Sequence, residues 1–527
     1  MAERSLPLKP APLSRRGVAA SIGRNTIFGI GSNIAQIGTR LFTVPIVISH
    51  LGLDGYGIWA IIMTTAGYMR FGSVGIKSAF QKYVAEATGS GDYEKANRLL
   101  STGSSLMLVL SVAGLVPTAI FSRALATAAG VPQSFLPSVA GAITLLAFIM
   151  MLSNAGAGYE AIVMGGHRID LTRRFNMIFT VLEAIAIVIF LHFGYGLFAM
   201  AAIMAASEVG YVTCCYIAAH RVLPMVRIHV RFFTPSVIRE LISYAGSYQL
   251  VNVLEVIYAA ILPITVLKFF GGDAAGIYAI ATRLSTAALL PQESVLLPLL
   301  SGGSMIYGSG SVENMRLLLA KAFKAVIALS LLPLAFIACF NRSIVFAWTG
   351  QADSTLNVAM WLICIAGLFK AVAVLELVLY RISGKAFVDN VRQVLRIAIL
   401  LGLSAFGSRL GFQGILSGLV ALELFGMVLM FFAIQHTFRG FSLRLITPDL
   451  WKIVVSTLLM VAAGWLASHI PVPLIGSDRL ISIARIAMIS VAYAIAALPA
   501  LYVTKAISTS ELGAIKDSFL KRAHAGG

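Results

Sequence analysis

The chain has 527 residues, of which 58% are hydrophobic and only 12% charged, with a formal net charge of +18. A soluble protein of this length would divide into several domains, each needing a charged surface about twice as rich as this one. The composition excludes a soluble enzyme and leaves a polytopic membrane protein whose apolar surface is covered by lipid.

Residues 1–17 read as a disordered polar tail, since the apolar run after them is too long for a cleavable signal. A helix of about 20 apolar residues crosses the hydrocarbon layer, and about 14 stretches reach that length. In order they lie near 26–49, 56–81, 103–122, 138–163, 176–194, 196–219, 247–270, 275–305, 322–340, 356–380, 393–408, 413–436, 451–470 and 480–503. The stretch at 393–408 is the shortest. No connection is long enough for a soluble domain. The longest, near 220–246, carries Arg221, Arg227, Arg231 and Arg239 among apolar residues. It reads as an amphipathic cytoplasmic linker lying on the membrane face between two halves. The domain plan is therefore a tail at 1–17, an N-lobe at 18–219, the linker at 220–246, a C-lobe at 247–437, two further helices at 438–504 and a cytoplasmic tail at 505–527.

With a cytoplasmic start and an even number of crossings, about 29 of the 40 Lys and Arg residues fall on the cytoplasmic side. The basic excess is then a topology signal and gives no case for a nucleic-acid partner. Both termini are expected in the cytoplasm. The four cysteines, Cys214, Cys215, Cys339 and Cys364, lie in apolar stretches and form no CxxC pair.

The two halves repeat each other. Asp54-Gly55-Tyr56-Gly57-Ile58-Trp59-Ala60 and Asp273-Ala274-Ala275-Gly276-Ile277-Tyr278-Ala279 share D-x-x-G-I-aromatic-A. At the same offset Ser90-Gly91-Asp92-Tyr93-Glu94 aligns with Ser309-Gly310-Ser311-Val312-Glu313. Pro45-Ile46 aligns with Pro263-Ile264, and Gly166-His167 with Gly384-Lys385. Six crossings separate equivalent points, so the copies share one orientation, which is a known transporter design.

No GxxxxGK[ST], HExxH or GxSxG is present, so the sequence indicates no ATP hydrolysis, metal, cofactor or catalytic residue. The unusual residues are charges inside the spans. The cations are Arg40, Arg70, Lys77, Arg283 and Lys370; the acids are Glu183, Glu208, Glu255, Glu293, Glu376 and Glu423. A central Arg or Lys costs roughly 2.5–3.5 kcal/mol in a bilayer, so each should face a wet cavity or a partner. Two readings follow: an anion-binding cavity, or interhelical Arg–Glu pairs that hold the bundle. Arg40, Arg70, Lys77 and Arg283 favour the cavity, because equivalent positions of the two copies do not carry the same charges. Arg283 maps onto Thr64, and Arg70 onto Leu289. Arg suits phosphate, since its planar fork bonds two oxygens at once. Glu208, Glu255, Lys370, Glu376 and Glu423 are candidates for ion coupling, with a salt bridge as the competing role of each carboxylate.

Arg24-Asn25-Thr26, Arg40-Leu41-Phe42-Thr43-Val44-Pro45 and Leu51-Gly52-Leu53-Asp54-Gly55-Tyr56-Gly57-Ile58-Trp59 resemble the start of the bacterial polysaccharide flippases. These form part of the multidrug/oligosaccharidyl-lipid/polysaccharide exporter superfamily. Gly89-Ser90-Gly91-Asp92-Tyr93-Glu94-Lys95-Ala96 and Gly165-Gly166-His167-Arg168-Ile169-Asp170 resemble that family's first two cytoplasmic loops. The resemblance implies an all-α fold with two six-helix lobes in a V around a cavity, plus two C-terminal helices. It implies a flippase in the bacterial inner membrane that moves polyprenyl-diphosphate-linked oligosaccharide by alternating access. Its partners would be that substrate, membrane lipids, and the glycosyltransferases and polymerase of polysaccharide assembly. The rivals are a cation-coupled multidrug exporter, a peptidoglycan lipid-precursor flippase and, from another class, a membrane-embedded glycosyltransferase or polymerase. Excess cationic charge in the first two helices disfavours the first. Short outer loops without a catalytic acid disfavour the last.

Overall fold

The computed structural model describes residues 15–69, 90–166, 168–308, 311–351, 353–383, 386–437, 447–471 and 477–504, with Phe80, Tyr83, Val84 and Glu86. Of the expected tail at 1–17, residues 1–14 lie outside the described residues and Arg15–Gly17 open the first helix; the expected tail at 505–527 lies outside the described residues. Among those described, regular structure is helical: α1 (Arg15–Met69), α2 (Tyr93–Ala128), α3 (Leu136–Gly165), α4 (Ile169–His192), α5 (Leu197–Val222), a 3-10 turn (Val230–Phe232), α6 (Ser236–Gly308), α7 (Val312–Thr349), α8 (Ser354–Ile382), α9 (Ala386–Ala405), α10 (Gly407–Thr437), α11 (Thr447–Ser468) and α12 (Asp478–Val503). Eleven helical stretches are long and apolar enough to cross a membrane. Large apolar side chains such as Phe42, Ile120, Leu466 and Ile495 are exposed along them, as lipid-facing residues are.

Two of these helices each join two long limbs across a break at a single glycine. α1 breaks at Gly52 (φ 72°, ψ 174°) and α6 at Gly271 (φ 82°, ψ −178°). That region of backbone space is essentially reserved for glycine, because a Cβ would collide with the flanking peptide. Counting both limbs of α1 and α6, the described helices give 14 segments, as hydropathy predicts, with the expected 56–81 stretch described as a helix to Met69. α9 starts earlier than the expected 393–408. Arg392 and Arg396 depress the local hydropathy, yet the helix continues through them because Arg396 is paired inside the bundle.

The repeat is visible in the backbone. Positive-φ glycines recur as Gly52 and Gly271, Gly130 and Gly350, and Gly194 and Gly411. The spacings are 219, 220 and 217 positions. Asp92 caps α2 by accepting from the Lys95 N–H at 3.0 Å, and Ser311 caps α7 by accepting from the Asn314 N–H at 3.4 Å. Helix pairing repeats as well: α2 on α3, α3 on α5 and α4 on α5 in the first copy correspond to α7 on α8, α8 on α10 and α9 on α10 in the second.

The chain forms two compact units, Met1–Gly276 and Ile277–Gly527. In the first, buried side-chain bonds tie helices together: Asn154 Nδ2 donates to Ser111 Oγ at 2.8 Å, and Gln36 Nε2 donates to Asn176 Oδ1 at 2.7 Å. Gly57 lies against the backbone of Gly272 and Gly276, with no room for a Cβ. The D-x-x-G glycines are therefore required by close approach. In the second unit, α11 and α12 attach to α7 around its kink at Phe340, which packs with Met460, Ile489 and Tyr493. The Tyr493 hydroxyl donates to the Leu332 carbonyl at 2.7 Å.

Residues 223–235 form an extended strap interrupted by the 3-10 turn at Val230–Phe232. Pro224 and Pro235 oppose helix continuation at either end. The strap is pinned by polar side chains of α2. Asn97 Oδ1 accepts from the Arg227 N–H at 2.7 Å, Ser101 Oγ from the His229 N–H at 3.0 Å, and Thr102 Oγ1 from the Thr234 N–H at 2.9 Å. Leu223 and Val226 are buried, and Ile228 seats against Gly158. The linker expected on the membrane face is thus amphipathic as a strap bound to the protein.

Candidate functional site

The second limb of α6 presents two chemically different sides. Ala281, Leu284, Ser285, Ala288 and Gln292 are buried and recur at helical spacing along one side. Ser285 touches Gly367 of α8, and Gln292 Oε1 accepts from the Ser330 hydroxyl of α7 at 2.9 Å. Arg283 stands two residues before Ser285, about 200° away around the helix. Its own side continues through Thr286, Ala287, Leu290 and Glu293, all exposed.

Arg283 is half-buried and, among the described residues, makes no hydrogen bond and no ion pair. It lies twelve residues beyond the Gly271 break, about 18 Å along the helix. That is close to the middle of a hydrocarbon layer about 30 Å thick. An uncompensated guanidinium at this depth costs roughly 2.5–3.5 kcal/mol if lipid surrounds it. An accessible side carrying Arg, Thr and Glu is instead what a wetted surface requires. The fork can bind two oxygens of a phosphate or carboxylate there.

Of the other expected anion-binding residues, Arg40 has its backbone in α1, twelve residues before the Gly52 break and so at matching depth, but its side chain is outside the described residues. Arg70 and Lys77 lie outside the described residues altogether, as does the Glu376 side chain.

Among the residues considered for ion coupling, Glu208, Glu255 and Lys370 are half-buried, and each has a bonded or electrostatic partner. Glu423 is buried and accepts from Arg396 Nη2 at 2.6 Å; Arg396 Nη1 also donates to Gln393 Oε1 at 3.1 Å. The interhelical pair weighed against a coupling role is therefore present at Glu423. Its partner Arg396 went unremarked in the sequence because it sits in the helix with the weakest apolar signal.

A second grouping also escapes the sequence. Tyr211 of α5 is hydrogen-bonded to Glu160 of α3 and to Cys215 one turn further along α5, with Glu208 close to Cys215. Tyr211 and Cys215 share a face at i, i+4 spacing, but nothing local in the sequence points to Glu160. Tyr159, Tyr216 and His220 form an aromatic cluster, with Tyr159 edge-on to Tyr216 and the Tyr216 and His220 centroids 4.4 Å apart.

Two kinds of similarity bear on this arrangement. The uncharacterized membrane protein EpsK of Bacillus subtilis (strain 168) is 21% identical over 335 residues, covering 61% of this chain. The match spans 64% of EpsK, just under two thirds of its length. Among solved structures, the lipid II flippase MurJ in an inward closed conformation superposes with a TM-score of 0.67 at 14% identity, over 90% of this chain and 99% of that one. An inward-facing multidrug resistance MATE family transporter of the MOP superfamily gives 0.64 at 15% identity, over 76% and 97%. At such identities the likeness is one of fold, and it is a transporter fold, as the repeat implies. The family of polysaccharide biosynthesis proteins matches residues 22–302, from the first spanning segment through the eighth. The chain is a multi-pass membrane protein that belongs to the polysaccharide biosynthesis protein family.

Proposed function

We propose that the protein is a flippase that carries a polyprenyl-diphosphate-linked oligosaccharide across the bacterial inner membrane by alternating access. The observation that carries this reading is Arg283, a guanidinium at mid-span on the accessible side of α6, with no carboxylate partner among the described residues. A diphosphate supplies the missing countercharge, and its bidentate match to the fork fixes orientation. The oligosaccharide crosses on the wetted side while the polyprenyl tail stays in lipid. A cationic drug would meet repulsion at the same residue. Arg40, Arg70 and Lys77 are the further candidates for binding the anionic group. Glu208, Glu255, Lys370 and Glu376 are the coupling candidates, and the termini lie in the cytoplasm beside the enzymes that build the substrate.

The test is translocation of a fluorescent polyprenyl-diphosphate sugar in proteoliposomes. Arg283→Ala should reduce the rate at least tenfold, since a charged hydrogen bond contributes about 1.5–3 kcal/mol. Arg283→Lys should recover part of it. Unchanged rates in a folded Arg283→Ala variant would refute the proposal.

A further inference from the structure

The outward surface of the strap at 223–235 has no role in the anion path. Four arginines in and beside it, Arg221, Arg227, Arg231 and Arg239, are exposed. Among the described residues none has a carboxylate partner; Arg227 Nε reaches only the Pro224 carbonyl, at 3.4 Å. From 209 to 239 the sequence contains no Asp or Glu at all. Interleaved with these charges, Met225, Val230 and Phe233 expose their side chains, Val230 to 78%. The inward residues are buried, so this outward set is held in place rather than sampled by a loose loop.

We infer that this surface is a docking site for the anionic phospholipid headgroups of the adjoining leaflet. Three features converge on that occupant. The charge is of one sign and has no internal partner, so it is available to phosphate. Exposed Met, Val and Phe beside Arg is the composition of a surface that sinks its apolar tips below the headgroups. The depth also fits, because Ile228 is seated on Gly158, a residue of the spanning helix α3. Asn97, Ser101 and Thr102 hold the strap's backbone rigid, so the arginines are presented with little ordering left to do on binding.

The experiment uses the full chain purified in a neutral detergent. Phosphatidylglycerol or phosphatidylcholine is added, and retained lipid is counted by native mass spectrometry beside the thermal midpoint. Wild type should retain phosphatidylglycerol preferentially, with a preference that falls as salt rises. Each Arg→Gln change at 221, 227, 231 or 239 should lower the preference about fivefold. The quadruple Arg→Lys variant should keep it, which controls for folding. Val230→Ser with Phe233→Ser should weaken retention of both lipids alike. Equal retention of the two lipids by wild type, or a preference surviving quadruple Arg→Gln, would overturn the inference. Binding of poly-glutamate without any lipid preference would overturn it in favour of an acidic protein partner.

Discussion

Glu423 separates structural charge from working charge in this membrane protein. Glu423→Leu leaves Arg396 buried without the carboxylate that accepts from its Nη2. Removing one member of a buried pair costs about 3–5 kcal/mol, because the remaining charge stays desolvated without compensation. For a unit of roughly 250 residues that corresponds to a fall in melting midpoint of about 6–20 °C. The double variant Arg396→Met/Glu423→Leu removes both charges and keeps the volume, and such replacements are often neutral or stabilising. The assay is thermal unfolding of the four members of the cycle in detergent, beside the pH profile of translocation in proteoliposomes. The double variant should melt near wild type and keep the wild-type pH profile. Should Glu423→Leu melt within about 2 °C of wild type while translocation loses its pH dependence, Glu423 is a coupling carboxylate and the structural assignment fails.

Three further outcomes are expected. Gly57→Ala puts a methyl against the backbone of Gly272 and Gly276, which cannot give way like a side chain, and should destabilise by about 1–3 kcal/mol in thermal unfolding. Asn97→Ala strips the Arg227 N–H of its acceptor and should cost about 1–3 kcal/mol, with hydrogen exchange rising at 225–229 rather than across the unit. Single cysteines placed near either terminus and at Arg227 should react with an impermeant maleimide only from the cytoplasmic side; periplasmic labelling of any one contradicts the assigned topology.

Much of the fold is legible in the sequence because bilayer crossing is a local constraint. Each segment must be long and apolar by itself, so hydropathy finds the 14 segments one by one. The repeat is legible because the same glycines are needed at the same corners in both copies. The strap escapes such reading: its backbone partners, Asn97, Ser101 and Thr102, lie about 130 positions away. Nothing around Arg227 announces that its N–H will meet an asparagine of α2. The site is half legible for the same reason. Arg283 stands out as a charge in an apolar run, and so does Glu423. Only the fold reveals that Glu423 has Arg396 and that, among the described residues, Arg283 has no such partner.

The glycine corners bear on how the chain reaches the membrane at all. Gly52 and Gly271 break α1 and α6 within a single residue, Gly411 breaks α10 in the same way, and Gly130, Gly194 and Gly350 also have positive φ. A nascent segment pair closed this way has almost no polar loop to drag through the hydrocarbon layer. It can therefore enter as a preformed hairpin. Lengthening any of these corners with charged residues would strain insertion during synthesis well before it touched the finished fold.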